Sequence, residues 1–200
     1  MKKIVFLYMV LMFNSWGVFA QQQKAVSCSG IYKTARDLKD EKLSYIVNCD
    51  SSSGKIRLNH FFSGKRVDVK QNGKEYSLSK DSVFGYRDCK GKDFRFHGGN
   101  SRDYKVEEIK GLIIYSALVN DPNYTGKGIK LVTAYFFSKD LNSDILPLTA
   151  KYLKQVFQND TRFCNMISSL GDITSYDETH KMYTINYLLT QSTLNNKQTP

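Results

Sequence analysis

Val67-Asp68-Val69-Lys70-Gln71-Asn72-Gly73-Lys74-Glu75-Tyr76-Ser77-Leu78 is the stretch that decides how this chain folds. Asn-Gly between two alternating runs specifies a type I′ turn, because both central residues need φ > 0. With Asn72 and Gly73 in the turn, Gln71 faces Lys74, Lys70 faces Glu75, Val69 faces Tyr76 and Val67 faces Leu78. The apolar residues then share one face, and the opposite charges of Lys70 and Glu75 share the other. A slip of one residue would mix the faces, so turn and pattern enforce one register.

Downstream, Val83–Asp88 and Asp93–Phe96 read as a second hairpin around Cys89-Lys90-Gly91-Lys92, where glycine supplies a left-handed residue. Gly98-Gly99-Asn100 breaks the chain. Tyr104–Val106 and Leu112–Tyr115 read as strand, with a bulge or turn near Gly111. Residues 121–128 form a loop, and Ile129–Phe137 is an apolar strand. Upstream, Thr34 caps a short helix over Ala35–Lys42, and Leu43–Asn48 and Lys55–Leu58 alternate like strands.

After Phe137 the period changes. Thr149 caps a helix with Tyr152, Leu153, Val156 and Phe157 on one face. Thr161 caps a second, with Phe163, Met166, Ile167 and Leu170 inward and Gly171 at its end. Ser175 to Glu178 matches a capping box for a third helix reaching about Leu189, although Tyr183–Tyr187 also alternates like a strand. Strands first and helices last predict an α+β domain: an antiparallel β-meander over about residues 43–137, with a short N-terminal helix and C-terminal helices packed on it.

Lys2, Lys3, an apolar core from Ile4 to Phe13 and Val18-Phe19-Ala20 form a secretory signal over residues 1–20. The apolar core is well short of the roughly 20 residues that span a bilayer. Cleavage after Ala20 would take 20 residues from 200 and leave 180. Residues 21–190 then make one domain, and 191–200 a disordered polar tail. The segment also holds the chain's one tryptophan, Trp16, and two lysines, so the formal charge falls from +10 to +8. Scattered lysines in an exported chain do not point to nucleic acid. An anionic glycan, a lipid surface or an envelope protein suits that charge better.

Cys28, Cys49, Cys89 and Cys164 allow two disulfides with three pairings. Cys28–Cys49 is the preferred bridge, tying the mature N-terminus to the first strand region. No C-x-x-C pair suggests a zinc site, and no cofactor is expected.

Among His60, His97 and His180, none sits in a ligand or catalytic motif. No G-x-S-x-G elbow or phosphate-binding loop is present, so no catalytic residue is assigned. His97 has the best claim because glycines follow it. Asp177 and His180 would share a helical face. The aromatic load is high, with 13 tyrosines and 12 phenylalanines, and Tyr86, Arg87, Phe94, Arg95, Phe96 and Tyr104 interleave rings with cations. Such a surface can stack on sugars or anchor a partner, which makes Tyr86, Arg87, Arg95, His97 and Tyr104 the candidate binding residues. Strand alternation offers another account, in which the rings fill the core and the arginines face water.

Gly30–Ala35, Phe84–Cys89, Tyr135–Ser138 and Tyr176–Tyr183 together resemble a family of small exported bacterial proteins with no assigned function. That resemblance implies an exported single-domain protein and supplies no catalytic residue, ligand or fold. The expectation is an exported, soluble, non-enzymatic binding or interaction module using an aromatic and basic sheet surface. The alternative is a periplasmic or secreted hydrolase built on His97 and nearby acids.

Overall fold

The computed structural model describes residues 28–50, 54–58, 64–98 and 102–196. The expected signal segment, His60, Gly99, Asn100 and the last four residues of the expected tail lie outside them.

The hairpin that organises the reading is present residue by residue. Strand β4 (Arg66–Gln71) pairs with β5 (Lys74–Ser79) in the expected register, from Gln71 opposite Lys74 to Val67 opposite Leu78. Asn72 and Gly73 have φ of 51° and 78°, as the turn requires. With β3 (Lys55–Arg57) this hairpin makes a three-stranded sheet of its own.

The other strands build a larger antiparallel sheet. These are β1 (Cys28–Tyr32), β2 (Ser44–Asn48), β6 (Gly85–Arg87), β7 (Asp93–Phe96), β8 (Asp103–Lys110), β9 (Leu112–Asn120), β10 (Leu131–Ser138) and the two-residue β11 (Leu146–Pro147). Their order is β11-β10-β9-β8-β7-β6-β1-β2. The fold is therefore α+β, as expected, but the meander is divided between two sheets. The segment before the first helix is itself a strand: β1 lies between β2 and β6, with Ile31 and Tyr32 fully buried. Gly91 (φ 73°) and Gly111 (φ 69°) make the tight turns after β6 and β8, and the β8–β9 ladder shifts register between Val106 and Glu108.

Helix α1 (Ala35–Lys39) has the expected cap. Thr34 Oγ accepts from Asp37 N, and the Asp37 carboxylate accepts from Thr34 N. Helix α2 (Ala150–Val156) is capped by Thr149. The cap of α3 (Thr161–Ser168) is Asp160 rather than Thr161; its carboxylate accepts from Phe163 N and Ser192 Oγ. The expected capping box at Ser175–Glu178 starts no helix. Tyr176–Asp177 (β12) pairs with Met182–Tyr183 (β13), and helix α4 begins after them, over Thr184–Asn196. It thus runs six residues into the segment expected as a tail.

Two apolar clusters cover one face of the large sheet at opposite ends. Near β1, β2 and β6, Val67 and Val69 of the small sheet pack on Ile31, Val47, Tyr86 and Phe96. At the other end, Leu112, Ile114 and Phe137 receive Leu153, Phe163, Ile167 and Ile185 from the helices. The opposite face carries Tyr104, Tyr115 and Phe136 under Ile145 and Leu141. Asn186 locks α4 to the β8–β9 turn. Its Oδ1 accepts from Leu112 N, while its Nδ2 donates to Glu108 Oε1 and Leu112 O.

The preferred Cys28–Cys49 bridge is not formed. Cys28 lies opposite Asn48, so alternation turns the next residue, Cys49, to the other face. Cys49 instead bonds Cys89, with Cα atoms 5.5 Å apart, joining the ends of the two strands that flank β1. Cys28 and Cys164 are free thiols. Among the described residues no helix is long and apolar enough to cross a membrane.

Candidate functional site

Between its two covers, the same face of the large sheet is left open. Register places Phe94, Lys105, Ser116 and Leu118 on that face, with Thr133 opposite Leu118 and Leu131 two residues further along β10. Together with Arg102 and Asp103 they line a concave groove of about 660 Å³. Its outer end is strongly apolar. Leu118 is 62% exposed, Leu131 53%, and Ile129, just before β10, 76%.

The charges along the groove are arranged in sequence. Lys105 Nζ lies 2.8 and 2.6 Å from the two Glu107 oxygens, and Ser116 Oγ donates to Glu107 Oε1 at 2.5 Å. Lys105 and Ser116 both hold the Glu107 carboxylate, so the trio is a fixed ion pair with a hydroxyl bound to it. Toward the helices, burial raises the pKa of the Tyr183 phenol, and the Glu107 charge and Tyr135 push it the same way. Toward the small sheet, Asp103 accepts from Tyr86 Oη at 2.6 Å. There, burial lowers the pKa of Lys80, and the Asp103 charge opposes that shift. Arg102 is exposed and pairs with no acid among the described residues. The site therefore offers an apolar floor, a fixed ion pair and an exposed guanidinium.

The binding residues expected from the sequence fall elsewhere. Tyr86, Arg95 and Tyr104 are 5%, 5% and 6% exposed. Tyr86 stacks on Phe94 and Phe96. Arg95, on the opposite face, donates to Tyr115 Oη, Ser138 Oγ and Ser143 O and lies over the Phe84 ring. Arginine inside and tyrosine inside both follow from a sheet covered on both faces at β6 and β7. Arg87 forms a two-point ion pair with Asp93, at 2.7 and 2.9 Å, and is partly screened from solvent. His97 is wedged against Tyr104, and its Nε2 accepts from Ile145 N at 3.5 Å. Burial first, then the Arg95 charge, lowers the His97 pKa, and Asp144 opposes them.

Asp177 and His180 do meet, at 2.7 Å, across the β12–β13 turn rather than on a helix, and His180 stacks on Tyr187. Among the described residues no group of three or more His, Cys, Asp or Glu could hold a metal ion.

Phe94, Arg102, Lys105, Ser116, Leu118, Thr133 and Leu131 were not singled out by sequence reasoning as a set. The available hint was local: apolar residues persist to both ends of the polar 121–128 loop, where a solvated hairpin tip would carry polar ones. Comparison of the chain with protein-family models, characterised proteins and solved structures finds no match.

Proposed function

We propose that this chain is an exported, non-enzymatic binding protein that holds an anionic partner with apolar side groups in the open strip of its sheet. One observation carries the reading: Leu118 and Leu131 stand exposed in a concavity beside Arg102, which pairs with no acid among the described residues, on a face otherwise packed under two apolar covers. Export is supported by the Lys2-Lys3 start, the apolar core and Val18-Phe19-Ala20. The Cys49–Cys89 bridge suits an oxidising compartment. The resemblance to small exported bacterial proteins points the same way.

Anilinonaphthalene sulfonate, an anionic apolar dye, is the probe for the groove. Its fluorescence should rise with the protein and saturate, and both Leu118→Asp and Arg102→Glu should weaken binding by about tenfold. Retention of full affinity by both variants would remove the groove from the account. Export is checked by intact mass: protein recovered from outside the cytoplasm should begin at Gln21 and show no tryptophan emission, since Trp16 leaves with the signal.

A further inference from the structure

β10 is the last long strand of the sheet, and only part of its outer edge is occupied. β11 meets it at Phe136 and Phe137, and the Tyr135 carbonyl accepts from Leu148 N at 2.9 Å. Backbone groups of a strand alternate sides with a two-residue period. The N–H and C=O groups of Thr133 and Leu131 therefore point off the edge, as Tyr135 does, and no strand pairs with them among the described residues. Proteins usually blunt such an edge with lysine, proline or a bulge. Leu131-Val132-Thr133-Ala134-Tyr135 holds no charge and no proline, and its ladder to β9 is regular. Leu131 and Thr133 also line the groove. A strand added here would pass beside the groove and could place every second side chain over it.

We infer that the occupant is an extended acidic segment of a partner protein, added as a further strand along residues 131–135 of β10; this rests on the groove reading. Glycans and lipid headgroups cannot pair with a backbone edge in this way, whereas a polypeptide can. Charge selects the kind of polypeptide. Arg102 in the groove, Lys127 at the hairpin tip and Lys151 in the first turn of α2 pair with no acid among the described residues. Asp121, the acid at the tip, is already held by Lys130 at 3.0 Å. A second copy fits poorly. Each exported chain would carry +8, the +10 of the full sequence less Lys2 and Lys3, and a two-fold pairing of β10 with itself would bring the Lys127 end of one copy to the Lys151 end of the other. An acidic strand answers these cations and supplies the missing ladder.

The test uses the full chain and a fluorescent peptide of about ten residues alternating valine and glutamate, the usual upper length of a strand. Anisotropy should report saturable binding that weakens with salt, and the valine–lysine counterpart should not bind. Thr133→Pro deletes one outward N–H on the open edge, where proline is tolerated. It should weaken the acidic peptide about tenfold. Should that variant misfold, the same peptide N-methylated at alternate residues removes its side of the ladder without altering the protein, and it should fail to bind. Equal binding of the methylated and unmethylated peptides, with normal dye binding, overturns strand addition and leaves the groove reading standing. Loss of dye binding to the wild-type chain defeats both. Concentration-dependent dimers abolished by Thr133→Pro would identify the occupant as a second copy and overturn the acidic partner.

Discussion

Reducing the Cys49–Cys89 bridge should destabilise the domain by a calculable amount. The bond closes a loop of 40 residues, linking the strands on either side of β1 through a segment that includes the whole small sheet. Chain entropy for a loop of that length gives about 4 kcal/mol at 25 °C. In a domain of this size each kcal/mol moves the melting temperature by about 2–4 °C, so the drop should be about 8–16 °C. The assay is thermal unfolding followed by circular dichroism, with and without reductant, on the wild-type chain and the Cys49→Ser/Cys89→Ser double variant. The reduced wild type and the double variant should melt together, and reductant should not move the double variant further. Cys28→Ser should leave the melt and its response to reductant unchanged. If Cys28→Ser reproduced the loss instead, the argument from strand alternation that separates Cys28 from Cys49 would fail. A drop under about 2 °C would show that the loop was already constrained in the unfolded chain.

Asn186→Ala should cost about 3 kcal/mol, because it strips partners from the buried Leu112 backbone and from Glu108 at once. The midpoint of urea unfolding measures it, and a cost below about 1 kcal/mol would mean the α4 contact is not held by that side chain. His97 gives a pH dependence with a definite sign. Its folded pKa lies below the unfolded value of 6.5, so stability is complete above the unfolded pKa and is lost as pH falls through 6.5 toward the folded value. His97→Gln should flatten the difference in urea midpoint between about pH 7.5 and about pH 5 relative to wild type. An unchanged difference would place the acid sensitivity on other groups.

Local chemistry accounts for what could be read in advance. Val67–Leu78 took its predicted register because a two-residue turn and an alternating pattern both act within a dozen residues. The caps at Thr34 and Thr149 likewise depend on a side chain reaching an amide three residues on. At α3 two neighbouring residues could cap, and Asp160 has a second role: it accepts from Ser192 on α4. Distant partners explain the other departures. Tyr183 N donates to Glu108, 75 residues earlier, and Tyr183 pairs with Tyr176, so the apparent capping box becomes a hairpin.

The amino-acid order by itself determined where the chain turns, which residues alternate, how the small hairpin is aligned and which helices are capped, since each depends on neighbours a few positions away. Only the tertiary structure decided that Arg95 and Tyr104 lie inside, that Cys49 meets Cys89, and that a strip from Phe94 to Leu131 stays open. Those outcomes depend on where the small sheet and the helical end come to rest, and a groove is the space that two such distant segments leave uncovered.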